Sequence, residues 1–345
     1  MVRSKVEFRR YVFTLFAFIA LTLVAGYFHL TNGAFDMSVL DVVKTLLRIE
    51  PNPKFDLVIF EFRLPRILIA ALVGIGLGMA GTVMQGITRN GLADPGILGI
   101  NTGAGASIVA FMFFFQMSGI TLFKGSSLSI LAMPLFGFVG GLAAALIIVL
   151  FSWRNGAIDM QRLILTGIAI SSGFGALSLY LSLKMNANDF EMAAVWSVGS
   201  IYSANWTYIL MITPWVLILG FVLQRKSYLL NYFQLEEVST KGLGISVEKE
   251  KLIFLLCSVG LVSVCVSVSG SIGFIGLMAP HIAKRLVGMN HRYILLSSAV
   301  IGMFLLVLSD FFAKTLFEPS ELPVGIVVSI IGIPYFLYLL AKSKA

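Results

Sequence analysis

The sequence predicts an all-α polytopic membrane protein with about ten transmembrane helices. Of its 345 residues, 58% are hydrophobic and only 12% are charged, and the mean hydropathy is +0.94. A soluble protein of this length could not bury so much apolar surface. Apolar stretches recur from one end of the chain to the other, so we expect a single transmembrane domain over residues 1–345.

Ten apolar stretches are separated by polar or charged turns. They cover residues 11–30, 64–87, 97–117, 128–151, 161–183, 206–223, 251–268, 278–288, 294–316 and 324–341. An even number of spans places both termini on one side of the membrane. Most basic residues fall in the termini and loops on that same side, which the positive-inside rule identifies as the cytoplasmic side. We therefore expect both termini to be cytoplasmic.

The segment between the seventh and eighth stretches, Ser269 to Gly276, is rich in glycine, and Pro280 follows it. Each glycine disfavours a helix interior by roughly 1 kcal/mol relative to alanine. We therefore expect the seventh helix to end near Val268 and a short helix to begin near Ala279. The irregular backbone between them is expected to lie against the pathway or the partner subunit rather than lipid. The alternative is one long kinked helix over residues 251–288.

The second apolar stretch, Leu64 to Ile87, carries small residues along its length: Gly74, Gly78, Gly81 and Gly86. Small residues let another backbone approach closely in a membrane. This stretch is therefore predicted to pack against protein rather than lipid.

Residue patterns that would support catalysis or metal binding are scarce. His29, His281 and His291 lie far apart, with no carboxylate or cysteine at ligand spacing, so we expect no metal site. Cys257 and Cys265 lie eight residues apart in one stretch, too far for a disulfide within a straight helix. No phosphate-binding loop motif is present, so we expect neither a cofactor nor enzymatic activity. If ATP drives transport, another subunit must hydrolyse it.

The net charge of +8 does not predict a nucleic-acid partner, because the basic residues are spread through loops rather than clustered.

Two polar features stand out from the apolar background. The segment from Gln234 to Glu250 has two helix-compatible pieces divided by Gly242 to Gly244, where we expect two short helices to meet. On the residues alone, it is either a cytoplasmic contact for a soluble partner or a solvated linker. Asp310 lies inside the ninth stretch, and Lys314 follows one turn later on the same face, so we expect these two residues to pair.

Several motifs occur in order along the chain. They are Arg63-Leu64-Pro65-Arg66, Arg89-Asn90-Gly91-Leu92-Ala93-Asp94-Pro95-Gly96, Gly270-Ser271-Ile272-Gly273-Phe274-Ile275-Gly276-Leu277, Ala279-Pro280-His281 and Glu321-Leu322-Pro323-Val324-Gly325. In these motifs the chain resembles the permease subunits of iron-chelate ABC importers, a family that also includes the cobalamin permease. The resemblance covers nearly the whole chain. It departs at Gly91, where the family usually has proline, and at Lys314, where the cobalamin permease has arginine.

The resemblance implies a type II ABC importer permease fold in a bacterial inner or plasma membrane. It implies three partners besides the lipid bilayer: a cytoplasmic ABC ATPase dimer, an extracytoplasmic substrate-binding protein, and a second permease subunit that is identical or homologous. The implied cargo is a ferric siderophore, with heme and cobalamin as alternatives. On the residues alone, an ion-coupled secondary transporter or a membrane scaffold without transport activity also stays open.

The resemblance also implies roles for three sets of residues. Those expected to dock the binding protein are Arg63, Arg66 and Lys314. Those expected to contact the ATPase, within a coupling segment that we define as residues 228–250, are Leu235, Glu236, Glu237, Lys241, Gly242, Leu243 and Gly244. Those expected to form a cytoplasmic gate are Asn90, Gly91, Leu92, Leu165, Thr166 and Gly167. The alternatives are that the basic residues reach lipid headgroups and that the gate residues are ordinary packing contacts.

Overall fold

The computed structural model describes residues 2–33, 37–49, 52–116, 127–154, 156–235, 237–317 and 320–343. Its helices, in chain order, are α1 (Val2–Thr31), α2 (Val39–Leu46), α3 (Pro53–Asp56), α4 (Leu64–Thr88), α5 (Ile100–Phe111), α6 (Ser127–Ser152), α7 (Met160–Ser182), α8 (Ala187–Val198), α9 (Trp206–Lys226), α10 (Leu229–Tyr232), α11 (Glu237–Gly242), α12 (Val247–Ser269), α13 (Ile275–Val287), α14 (His291–Thr315) and α15 (Val324–Ser343).

Three less regular helical pieces and a small hairpin complete these elements. π-helical stretches at Leu57–Arg63 and Met112–Gln116 lead into α4 and extend α5, and a 3₁₀ turn at Pro95–Leu98 precedes α5. Strands β1 (Trp153–Arg154) and β2 (Ala157–Ile158) pair antiparallel in the connection from α6 to α7. The predicted all-helical class is therefore confirmed over the described residues.

Within the described residues, eight helices are long and apolar enough to cross a membrane. They are Lys5–Thr31, Pro53–Thr88, Leu131–Ser152, Met160–Ser182, Trp206–Lys226, Val247–Ser269, His291–Thr315 and Val324–Lys342. The other two predicted stretches form shorter helices, the apolar Ile100–Phe115 and α13 with 13 residues. A helix of 13 residues covers roughly 20 Å, less than the hydrocarbon core. The expected count of ten full spans is thus not confirmed.

The predicted break between the seventh and eighth stretches is confirmed. Helix α12 ends at Ser269, and Gly270 caps it with a φ of 67°. Helix α13 begins at Ile275, after Phe274 in the left-handed region with a φ of 63°. This start is four residues earlier than expected, so Pro280 lies inside α13 rather than in its first turn.

The irregular backbone of the break is covered by protein. A Cβ on Gly270 would lie 2.1 Å from the Trp196 carbonyl oxygen, and a Cβ on Gly332 would lie 2.5 Å from the Phe274 ring. Both contacts are within this chain, since Trp196 belongs to α8 and Gly332 to α15. Gly270 and Phe274 therefore lie against other helices of this chain, and the expected contact of the break with the pathway or a partner subunit stays a prediction.

Helix α4 lies at the centre of the bundle and packs closely against α12, α13 and α14. A Cβ on Gly74 would lie 2.4 Å from the Gly302 carbonyl oxygen, and one on Gly78 would lie 2.3 Å from that of Ser298. Backbones approach this closely only where side chains are missing. The prediction that this stretch packs against protein is confirmed. By contrast, only 11% of the most apolar part of α1, and 11% of that of α7, is buried, so both helices lie at the periphery.

Candidate functional site

A cluster of four ionisable side chains, three of them buried, joins four parts of the chain at one end of the bundle. The Arg66 guanidinium on α4 donates from Nε to Asp310 Oδ2 at 2.7 Å and from Nη2 to Asp310 Oδ1 at 2.9 Å. Its Nη1 donates to Glu321 Oε2 at 2.5 Å. His29 Nε2 on α1 lies 2.8 Å from Asp310 Oδ2. We call these four residues the Arg66 cluster.

The Asp310 carboxylate on α14 is completely buried, and the Arg66 side chain is 10% exposed. Charges this far from water persist only when paired and hydrogen-bonded. The planar guanidinium meets both carboxylate oxygens at once, which is the strongest geometry available to such a pair. The cluster therefore fixes α1, α4, α14 and the segment before α15 relative to one another.

Two further cations at this end, Lys314 and Arg63, bind carbonyl groups at the end of α1. Lys314 Nζ donates to the Asn32 carbonyl at 2.8 Å and to the His29 carbonyl at 3.2 Å. Arg63 Nη1 donates to the Leu30 carbonyl. Carbonyls in the last turn of a helix have no intrahelical donor, and nearby cations stabilise the helix dipole.

The predicted pair between Asp310 and Lys314 is wrong. The carboxylate is bound by Arg66 and His29, while the Lys314 ammonium reaches the carbonyls of α1. The physical reason is that Arg66 offers a two-pronged donor from the facing helix, which a lysine one turn away cannot match.

The three residues expected to dock a binding protein do converge at this end, but they are largely buried. Arg63, Arg66 and Lys314 are 5%, 8% and 8% exposed, and each donates to groups of this chain. Docking stays a prediction. What the structure adds is that these side chains also organise the end of the bundle.

At the opposite end of α4, Arg89 holds the coupling segment. It caps α4 in the left-handed region with a φ of 52°, a conformation that costs a non-glycine residue about 1–3 kcal/mol. Its Nε donates to the Phe233 carbonyl and its Nη2 to the Leu235 carbonyl, both at 2.5 Å. Gln234 Nε2 donates back to the Gly86 carbonyl of α4 at 3.3 Å. The chain after α10 is thus tied to the end of α4.

The coupling segment contains the short helices α10 and α11 and the first turn of α12. Helices α10 and α11 are separated by residues 233–236, of which Glu236 lies outside the described residues. Gly242 to Gly244 forms the turn from α11 into α12, with Gly244 at a φ of 77°. The predicted junction at these glycines is therefore confirmed, but the helix that follows it is the long span α12 and not a short helix. Leu235 and Leu243 are 47% and 59% exposed, and Lys241 is also exposed.

The first trio of expected gate residues follows Arg89. Asn90 Oδ1 accepts from the Leu92 amide at 2.9 Å, and His281 Nε2 on α13 lies 3.0 Å from the Gly91 carbonyl oxygen. Leu92 packs against the main hydrophobic core. Next to this trio, burial raises the pKa of Asp94 to about 6, although the Gly96 amide that donates to it at 2.6 Å opposes the rise.

The second trio lies on α7. Leu165 is 66% exposed, Thr166 is half-buried, and Gly167 is buried. Within the described residues, the hydrogen bonds of the first trio are local except for the His281 contact with the Gly91 carbonyl, and none of them reaches α7. A gate shared by the two trios therefore stays a prediction.

The described part of the chain has no group of three or more His, Cys, Asp or Glu side chains arranged to hold a metal ion. Its ionisable side chains are used for ion pairs and helix-end contacts instead.

Comparison with known proteins shows which family has this architecture. Residues 21–342 match the model of the FecCD transport family. The chain belongs to the FecCD transport family. A FecCD relative in Bacillus subtilis (strain 168), the iron-uptake system permease protein FeuC, is 54% identical over 328 residues, covering 95% of this chain and 96% of that protein.

Two further matches extend the family comparison. The hemin transport system permease protein HmuU of Yersinia pestis is 37% identical over 320 residues, covering 91% of this chain and 92% of that protein. A solved structure of a metal-chelate type ABC transporter in an inward-facing conformation has a TM-score of 0.82 and 30% sequence identity, and it covers 95% of this chain and 98% of that one. The fold is therefore shared with that transporter chain.

Sequence reasoning missed two members of the Arg66 cluster in this FecCD chain. The sequence pattern marks His29 only as a possible metal ligand and Glu321 only as part of a motif. The available signal was that His29 is an ionisable residue in an apolar helix, since such residues usually face a polar partner inside the protein.

Proposed function

We propose that this chain is the membrane-spanning permease subunit of an ABC importer that carries ferric siderophores across a bacterial inner or plasma membrane. The observation that supports this most is the 54% identity to an iron-uptake permease along nearly the full length of both chains. The eight long apolar helices suit a multi-pass pathway. A separate ATPase dimer hydrolyses ATP, an extracytoplasmic binding protein delivers the cargo, and a second permease subunit completes the pathway. Both termini are cytoplasmic, and residues 1–345 form one domain.

Uptake by a deletion strain tests this function. The strain is complemented with this gene, its ATPase and its binding protein, and is offered labelled ferric siderophores, hemin and cobalamin in separate assays. We expect ferric siderophore uptake that stops when the ATPase subunit is inactivated. Uptake of hemin or cobalamin alone contradicts the proposed cargo. Uptake that continues with an inactive ATPase contradicts the ABC mechanism and favours an ion-coupled transporter.

We further propose that the coupling segment, residues 228–250, contacts the ATPase. Its short helices precede α12 and are tied to the central helix α4 through Arg89. Exposed leucines at 235 and 243 offer apolar contact area. A displacement of this segment would pass directly to the end of α4 and to the gate residues that follow it.

Reversing the charge of Glu236 and Glu237 together to lysine is expected to weaken co-purification of the ATPase. Acidic side chains at a docked surface attract a basic partner, and reversal turns the attraction into repulsion. Glu191→Lys is the matched control, since this glutamate is exposed on α8 outside the coupling segment. Unchanged co-purification of the double variant, or an equal loss in the control, contradicts the assignment.

Replacing Arg89 with glutamine is expected to lower binding-protein-stimulated ATPase activity and uptake by about tenfold or more. Hydrogen bonds to a charged donor contribute about 1.5–3 kcal/mol each, and two are lost. The ATPase should still co-purify, because Arg89 acts by positioning the segment and not by touching the partner. Arg162→Gln, at the exposed start of α7, is the control. If Arg89→Gln also abolishes co-purification, the proposed coupling role is contradicted, and Arg89 only stabilises the folded segment.

For Arg63, Arg66 and Lys314 we propose docking of the binding protein in addition to their internal contacts. Arg63→Gln is expected to weaken binding of the loaded binding protein only modestly, since Arg63 is 5% exposed and little of its charge is accessible to a partner. The effect should shrink in high salt. Surface plasmon resonance at two salt concentrations measures it, with Arg48→Gln, whose side chain is 64% exposed, as the control. Equal binding by Arg63→Gln and wild type contradicts docking by this residue.

A further inference from the structure

Helix α2 and its C-terminal cap carry an apolar face that the described part of the chain leaves exposed. Its members are Val39, Leu40, Val43, Leu46 and Leu47, which are 50%, 62%, 44%, 40% and 64% exposed. At 3.6 residues per turn, these positions fall within an arc of about 120°. We call this arc the α2 face.

The direction of the α2 face is fixed by the rest of the helix. Ser38 and Asp41 form a capping box, in which Ser38 Oγ accepts from the Asp41 amide at 3.2 Å and Asp41 Oδ2 accepts from the Ser38 amide at 3.2 Å. On the adjoining side, Val42 is buried in a cluster with Met37 and Ile59. The exposed leucines and valines therefore belong to an anchored helix and not to a free loop.

The anchor places α2 beside the end of a membrane span. The Met37 amide donates to the carbonyl of Thr31, the last residue of α1, at 3.1 Å. Leu30, one residue earlier, packs against the same cluster as Val42. Helix α1 itself is peripheral, and its last turns expose Leu23, with 70% of its surface accessible. The α2 face thus continues the exposed apolar surface of a spanning helix at the level where that helix ends.

Neighbouring aromatic residues suit the same level. Trp206, at the start of α9, is 39% exposed and donates from Nε1 to the Phe60 carbonyl at 2.8 Å. The Arg48 guanidinium lies 4.7 Å from the Phe60 ring centre. Tryptophan and basic residues are enriched where a membrane meets water.

We propose that the α2 face inserts into the boundary between lipid headgroups and acyl chains. The occupant is bilayer lipid, because the face continues the exposed apolar surface of the peripheral spanning helix α1. It also consists only of aliphatic side chains, whereas the residues that contribute most of the energy at protein interfaces are enriched in tryptophan, tyrosine and arginine. Helix α2 is then an interfacial amphipathic helix whose second side packs on α1. This inference depends on the chain crossing a membrane and not on which cargo it carries.

Fluorescent labelling of single cysteines in nanodiscs tests the insertion. The two native cysteines are buried, so the unmodified chain serves as the labelling control. Leu40→Cys and Leu47→Cys place an environment-sensitive probe on the α2 face. Leu23→Cys on α1 is the reference for lipid, and Lys54→Cys, which is exposed at the start of α3, is the reference for water.

Each label is exposed in turn to spin-labelled lipid and to aqueous iodide. We expect both α2 labels to be quenched by the lipid, as at position 23, and to be shielded from iodide, at a depth of roughly 5–10 Å below the headgroups. Quenching by iodide alone, as at position 54, overturns the proposal because the face is then in water. Shielding from both quenchers also overturns it, because a second copy or another protein then covers the face.

Discussion

Replacing Asp310 with alanine is expected to prevent this chain from accumulating as folded protein. The substitution leaves the Arg66 guanidinium, whose side chain is 10% exposed, without its two-pronged partner. Breaking a buried ion pair from one side costs about 3–5 kcal/mol, a large part of the 5–15 kcal/mol that stabilises a typical folded protein. Size-exclusion chromatography and thermal unfolding in detergent measure the loss.

A matched pair of variants separates the buried charge from other effects. Asp56→Ala removes a half-buried carboxylate that lies 3.7 Å from the exposed Arg48 guanidinium, and should change stability by about 1 kcal/mol or less. The double variant Asp310→Leu with Arg66→Met replaces the ion pair with apolar side chains and should fold again, since such replacements are often neutral or stabilising. Wild-type stability of Asp310→Ala contradicts the role of the Arg66 cluster.

The same double variant connects stability to docking. If it folds, binding of the loaded binding protein can be measured without the positive charge at position 66. A normal affinity then means that Arg66 only organises the bundle, and a weakened one means that it also faces the partner.

The Arg66 cluster shows what the sequence could predict and what it could not. A carboxylate inside an apolar stretch predicts a buried polar contact, and the sequence predicts such a contact for Asp310. The partner was misassigned because only neighbours along one helix can be read from spacing, and Lys314 is such a neighbour. Arg66 lies 244 residues away, so its contact depends on how α4 and α14 cross, which no local pattern reveals.

The break before α13 and the coupling segment are also only partly predictable from the sequence, for a related reason. Glycine density and a proline are local signals, and they predicted the end of α12 to within one residue. The start of α13 was misplaced because Phe274 takes up the left-handed conformation that begins the helix early. In the coupling segment, the glycines correctly indicated a turn. Which helix they end depends on the contacts of Arg89 with the backbone after α10.

Replacing Gly81 with alanine is expected to be the most damaging of the glycine substitutions along α4. A Cβ at this position would lie 1.8 Å from the Gly276 carbonyl oxygen and 2.6 Å from the Gly276 Cα. Both neighbours are backbone atoms, so neither can rotate away. The two helices must separate instead, and the overpacking costs about 1–3 kcal/mol or more.

The reason for so close an approach lies in α13. Pro280 has no N–H to donate to the Gly276 carbonyl four residues earlier, which leaves that oxygen free to face α4. A Cβ on Gly276 would meet Pro95 Cδ at 3.1 Å and Asp94 Oδ2 at 3.3 Å, contacts that small shifts can relieve. Gly276→Ala should therefore be less damaging than Gly81→Ala.

Gly175→Ala on α7 is the control, since nothing lies within 4 Å of a Cβ at that position. Alanine favours a helix by about 1 kcal/mol over glycine, so this variant should be as stable as wild type or slightly more so. Thermal unfolding of the three variants should give melting temperatures that rise from Gly81→Ala to Gly276→Ala to Gly175→Ala. Equal melting temperatures for the first and last contradict the close packing of α4 on α13. Since the His281 contact to Gly91 is also made by α13, separation of the two helices should move the gate residues as well. Uptake should then fall even in preparations of Gly81→Ala that remain folded.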